Sequence, residues 1–156
     1  MGKVTSGVFT VYVNQFEVNT GSAGEESWAT VAEVEEINVT IENKTETWPT
    51  FAGEGWDSAL VTGKSAKIDI KGKRCIGDAG NDFIAEKLLA NGQDAYVSAR
   101  IKFADGKVLT WEKMACAVAN AGTGGKATDI GALEATLTGH GKPVLTEAES
   151  KLNKMK

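Results

Sequence analysis

One histidine, two cysteines, two glycine-rich clusters and a few acid pairs are where this 156-residue chain could do chemistry. His140 stands between Gly139 and Gly141. A lone imidazole cannot complete a multi-histidine metal site, and on a glycine turn it has no fixed geometry toward a serine, so it reads as an exposed turn residue. Cys75 and Cys116 lie far apart with no histidine near either, a poor pattern for zinc. Gly122-Thr-Gly-Gly-Lys126 has the outline of a phosphate loop. However, Asn120 stands where the first glycine belongs, and Ala127 follows the lysine in place of the hydroxyl residue that holds magnesium. Gly77-Asp-Ala-Gly-Asn-Asp82 offers oxygens without calcium-loop spacing, so helix capping is the expected job of Asp78, Asn81 or Asp82. Glu25-Glu26 and Glu35-Glu36 are adjacent, and neighbours on a strand point to opposite faces, which suits charge patterning better than acid–base work. Trp28, Trp48, Trp56 and Trp111 are scattered singly without interleaved Lys or Arg, favouring core or subunit contacts over a stacking platform. The expectation is no catalytic residue, no metal ligand, no cofactor and no enzyme.

The elements that must carry these residues are mostly strands, because apolar and polar residues alternate with period two through most of the chain. Val4–Val13 is β-branched and aromatic. From Trp28 the alternation runs to Glu35-Glu36, slips by one residue, and resumes through Glu42, predicting one bent strand or two abutting ones over 28–42. Residues 43–60 break periodicity with Pro49, Gly53 and Gly55 and are expected to form a loop. Three large aromatics in it, Trp48, Phe51 and Trp56, need a surface to bury against. Ala66, Ile68 and Ile70 alternate with Lys67, Asp69 and Lys71. A short helix is predicted over 81–92, with Phe83, Ile84, Lys87 and Leu88 on one face. Tyr96–Phe103 and Val108–Trp111 flank Asp105-Gly106, a hairpin whose two central residues are expected at positive φ. The second strand continues through Met114–Val118, and Leu133–Thr138 forms the last. The fold class is mainly β: a sandwich or barrel of two packed antiparallel sheets with one short flanking helix. Residues 1–146 form one domain, and 147–156 a charged tail that frays or forms a short helix.

Length and composition agree with one domain, and 18 glycines against 2 prolines mark many turns. The net charge of −4 is uneven. Residues 1–60 hold 2 lysines against 10 acids, while residues 61–113 hold 10 basic against 7 acidic side chains. That asymmetry suits self-association more than nucleic-acid capture, which needs a strong basic patch. No apolar core of a secretory signal opens the chain and no run reaches the length of a membrane span, so a cytosol-like compartment with reduced cysteines is expected.

Taken in order, Ala32–Glu42, Gly55-Trp56, Thr62-Gly-Lys64, Lys73–Asp82, Ile101–Lys107 and Gly139-His-Gly-Lys-Pro143 give the chain a resemblance to the major tail tube proteins of long-tailed bacteriophages, notably non-contractile ones of Gram-positive hosts. It spans roughly residues 8–145. The resemblance implies a β-sandwich with one helix that forms hexameric rings. Those rings stack into a virion tail tube, assembled in the host cytoplasm around a tape-measure protein, ended by tail-tip and terminator proteins, and traversed by double-stranded DNA without any membrane role. It also implies that the 43–60 segment is an arm clasping neighbouring subunits through Trp48, Phe51 and Trp56. The wet sheet face becomes a lumen wall, with Glu33, Glu35, Asn38, Thr40, Glu42, Ser98, Arg100 and Lys102 as candidates. DNA must slide without sticking, so Arg100 and Lys102 should be paired with acids if they face inward. The competing readings are a carbohydrate-binding β-sandwich using Trp48 and Trp56, and a small β-fold enzyme.

Overall fold

In the computed structural model, which describes residues 4–21 and 25–147, the period-two segments become antiparallel strands. They are β1 (Gln15–Asn19), β2 (Trp28–Thr30), β3 (Val34–Pro49), β4 (Asp57–Lys73), β5 (Tyr96–Lys102), β6 (Lys107–Ala121), β7 (Ala132–Gly139) and β8 (Val144–Glu147). Hydrogen bonding runs in the order β2-β1-β5-β6-β7-β4-β3, with β8 beside the start of β6. The two expected layers are therefore halves of one sheet joined through β6, which pairs with β5 over Val108–Ala115 and with β7 over Met114–Ala121. Where β6 passes between partners the register slips, leaving Glu112 and Lys113 opposite Ser98. Such a bulge bends and twists a strand. The halves share one core: Phe16, Val18, Ala99, Ile101 and Trp111 from one side, Ile68, Ile70, Leu133 and Leu137 from the other.

Strand alternation is seen where one face is buried. In β4, Ala66, Ile68 and Ile70 are buried, and in β5 so are Val97, Ala99 and Ile101. The helix α1 (Ala79–Ala85) begins earlier and ends sooner than predicted, followed by 3-10 turns at Glu86–Leu89 and Gly92–Ala95. Its cap is Asp78, whose Oδ2 accepts the Asn81 backbone N–H at 2.9 Å. Its first turns bury Gly80, Asn81 and Ile84, and the 3-10 turn that follows lies against β6 with Lys87 and Leu88 half-buried, whereas Leu89 is exposed. Gly80 is required by closeness, since a Cβ there would lie 2.6 Å from the Thr30 carbonyl oxygen.

Four expectations are corrected or refined. Val4–Val13 is no strand but an exposed segment with one 3-10 turn at Val11–Val13. Both sides of β1, the strand that follows it, are already taken by β2 and β5. Residues 28–42 fall in two strands that do not pair with each other and are separated at Glu33 (φ 63°), while the slip at Glu35-Glu36 is a bulge between Val34 and Glu36, as the one-residue slip in the alternation implies. Residues 43–60 are not a loop: β3 runs to Pro49 and β4 starts at Asp57. The Asp105-Gly106 hairpin forms, but only Gly106 has positive φ, and its N–H donates to the Phe103 carbonyl at 3.0 Å. That is a type I turn closed by a glycine bulge. Strand β8 had no predicted counterpart and contains the expected 146/147 boundary; residues 148–156 lie outside the described residues.

Candidate assembly surfaces

The β3–β4 hairpin leaves the body of the protein. Its root is held by β7, which pairs with β4 over Lys67–Lys73, and Thr40 is the β3 partner of Lys67. From Ile41 to Pro49 the pairing continues with no third strand among the described residues. At about 3.3 Å per residue, this ribbon is about 30 Å long. Its residues are exposed on both faces, apart from half-buried glycines and Ala66, which is buried at the root opposite Ile41. A two-stranded ribbon in water is marginal on its own, because it buries too little to offset the order it imposes. The tip is apolar: Phe51 and Trp56 are 105% and 81% exposed, and Trp48 is 42% exposed. A 3-10 turn at Phe51–Gly53 and left-handed Glu54 and Gly55 close it. The tip is also acidic, with Glu46, Glu54 and Asp57 and no basic residue between Lys44 and Lys64.

The lumen candidates separate into two sets on the outer surfaces of opposite halves of the sheet. Asn38, Thr40 and Glu42 stand opposite Asp69, Lys67 and Ser65. Across β4, Glu134, Thr136 and Thr138 continue the same rows. The bulge adds Glu36, opposite Lys71, a residue not among the lumen candidates. Glu35 joins this face through a 2.9 Å ion pair with Lys73, whereas Glu33 sits in the connecting turn and gives its carbonyl to the Lys73 N–H. Lys71 thus lies between Glu36 and Glu134, and Thr136 Oγ1 donates to Asp69 Oδ1 at 2.6 Å.

Ser98, Arg100 and Lys102 are on the other half. Glu17, only 8% exposed, binds Arg100 Nε at 2.5 Å and Lys102 Nζ at 3.6 Å. The Arg100 guanidinium also stacks over the Trp28 ring, 4.3 Å from its centroid. Both cations are paired, but with a single carboxylate. Ser98 donates its hydroxyl to the Glu112 carbonyl at 2.6 Å.

Among the described residues no group of His, Cys, Asp and Glu is placed to hold a metal ion, and no helix is long and apolar enough to cross a membrane. Both cysteines are free thiols. Burial pushes Cys116 up from 9.0 to about 11, against a small opposing pull from Lys87. In the folded chain Cys75, half-buried, should react with a maleimide at neutral pH while Cys116 stays protected until denaturant is added. Between pH 9 and 11 the unfolded thiol ionises and the folded one does not, so stability should fall by roughly 2 kcal/mol as pH rises. Urea titrations of the parent and Cys116→Ala check this, since the variant should lack that component.

No family model and no curated protein matches the chain. Solved structures share its fold. A chain from the tail of an empty gene transfer agent particle with C6 symmetry superposes with a TM-score of 0.68 at 12% identity, over 89% of this chain and 99% of its own. A chain from the sheath/tube terminator of an extracellular contractile injection system gives 0.59 at 12% identity, over 92% and 99%. One from the extended sheath–tube complex of such a system gives 0.56 at 12% identity, over 86% and 88%. What these chains have in common with this one is the fold, a mainly β architecture with a single short helix.

Proposed function

We propose that this chain is a structural virion protein, not an enzyme, whose copies polymerise as stacked hexameric rings into a phage tail tube. The observation that carries the proposal is the β3–β4 arm, an unsupported ribbon ending in exposed Phe51 and Trp56. A monomer gains nothing from displaying such a surface, while an obligate assembly buries it. The shared fold with chains from tube-bearing particles supports the same reading. The sequence resemblance adds the finer terms: a non-contractile tail of a Gram-positive host, assembly in the bacterial cytoplasm, a tape-measure protein inside, tip and terminator proteins at the ends, and passage of double-stranded DNA.

Of the two outer surfaces, the β3–β4–β7 face suits a lumen. Its lysines 67, 71 and 73 are outnumbered by Glu35, Glu36, Glu42, Asp69 and Glu134. The face is net acidic, so phosphate is repelled on balance and can slide. Glu36→Lys with Glu42→Lys should leave tubes intact and slow DNA ejection several-fold, more at low salt than at high. Loss of assembly in that variant would place these residues at a subunit interface.

Negative-stain microscopy of the purified chain, with mass from light scattering, tests the main proposal. Rings or tubes are expected. A stable monomer that binds glycans through Trp48 and Trp56 would replace it with the carbohydrate-binding alternative.

A further inference from the structure

An apolar groove of about 680 Å³ lies at the root of the arm. Ile41 and Val61 wall one side and Leu109, Pro143 and Leu145 the other, and Gly139 and Gly141 add no side chains to it. Ile41, Val61 and Leu145 are between 42% and 57% exposed, a large apolar exposure for residues this close to a core. Lys64 and Lys142 stand at its edge.

We infer that this groove receives the tip of the β3–β4 arm of a second copy of the chain. Three observations select that occupant. The chain's own tip is held about 30 Å away by the paired ribbon and cannot fold back. Charge is complementary: Glu46, Glu54 and Asp57 on the tip face Lys64 and Lys142 on the groove. The exposed amino-terminal segment, with Val8, Phe9, Val11 and Tyr12, is the other apolar candidate, but residues 4–16 carry no charge to match those lysines. Size also fits, since Phe51 and Trp56 at about 150–250 Å² each, with the open part of Trp48, supply about half or more of the roughly 800 Å² per partner of a standard interface. Tip and groove are different surfaces on every copy, so the contact is head-to-tail and propagates into a closed ring or a helical filament.

The inference rests on the tube proposal and fails separately from it. In full-length chain carrying Cys75→Ser, Phe51→Cys is placed on one copy and Leu145→Cys on another, and the mixture is mildly oxidised. Disulfide-linked heterodimer should form at least tenfold above the homodimer background of either variant alone, and a chain carrying both changes should give a ladder of multimers. Leu145→Arg should block assembly that Leu145→Val permits. If Leu145→Arg assembles like the parent, the groove is not the acceptor and the tube proposal stands. Preferential linkage of Phe9→Cys to Leu145→Cys would overturn the choice of occupant. If the parent forms no ring or tube and no linkage appears, both inference and proposal fall.

Discussion

Alanine at Trp48, Phe51 and Trp56 together should give a folded monomer that no longer assembles. The two halves of that result have different physical origins. In the single chain Phe51 and Trp56 touch little, and Trp48 is half open to water, so truncating them removes little that holds the fold together. Surface changes of this kind usually stay within about 0.5 kcal/mol each. In the assembly the same rings are the largest apolar groups the arm presents, and buried interface aromatics typically cost 2 kcal/mol or more each when truncated. Such losses do not add simply, but even two of them, roughly 4 kcal/mol per contact, make about a 10³-fold loss of affinity repeated at every joint. Light scattering should report monomer at concentrations where the parent forms tubes, with an unchanged urea midpoint. Parent-like tubes from the triple variant would show that the arm is not the contact; an unfolded product would show that the aromatics are core.

That residues 43–60 were legible as an exposed aromatic segment but not as a hairpin has a simple cause. Period-two patterning is visible only where one strand face is buried, as with Ile68 and Ile70 against Lys67 and Asp69. Beyond Ile41 the ribbon buries neither face, and its sequence, Glu-Asn-Lys-Thr-Glu-Thr-Trp-Pro, carries no alternation to read. Val4–Val13 fails in the opposite direction, with β-forming residues that lead into β1, a strand already paired on both sides. The slip at Glu35-Glu36 was readable because apolar residues flank it on both sides. Its consequence was not: the bulge puts Glu36 beside Asn38 and Thr40, and only the pairing with Lys71 reveals that. Likewise each strand's wet residues could be named, but which wet faces share a surface depends on β6 bending the sheet, so Asn38 and Arg100, both candidates for one lumen wall, stand on opposite halves of that sheet.

Asn81 hid in the same way, since a capping run such as Asp-Ala-Gly-Asn-Asp gives an asparagine a sufficient local job. In the fold it is fully buried and does something else. Its Oδ1 accepts from Arg74 Nη1 at 2.9 Å and from the Cys75 N–H at 3.0 Å, while Nδ2 donates to the Ala32 and Lys73 carbonyls at 2.9 and 3.0 Å. All four of its hydrogen-bonding capacities are used. Ala32 precedes β3 and Lys73 ends β4, so one amide ties both legs of the arm's root to helix α1. Asn81→Ala strands two carbonyls and an N–H away from water, each worth about 1–3 kcal/mol, with Arg74 retaining Asp82 at 2.8 Å. The expected loss is about 3–5 kcal/mol, a large share of the 5–15 kcal/mol of a typical domain. Asn81→Asp should be no better, because it sets a carboxylate oxygen against the same two carbonyls. Urea unfolding measures the loss, and amide exchange locates it: residues 34–40 and 67–73 should exchange faster while β5 stays protected. A loss under 1 kcal/mol would mean that water replaces the amide and that the arm's root is held by strand pairing alone.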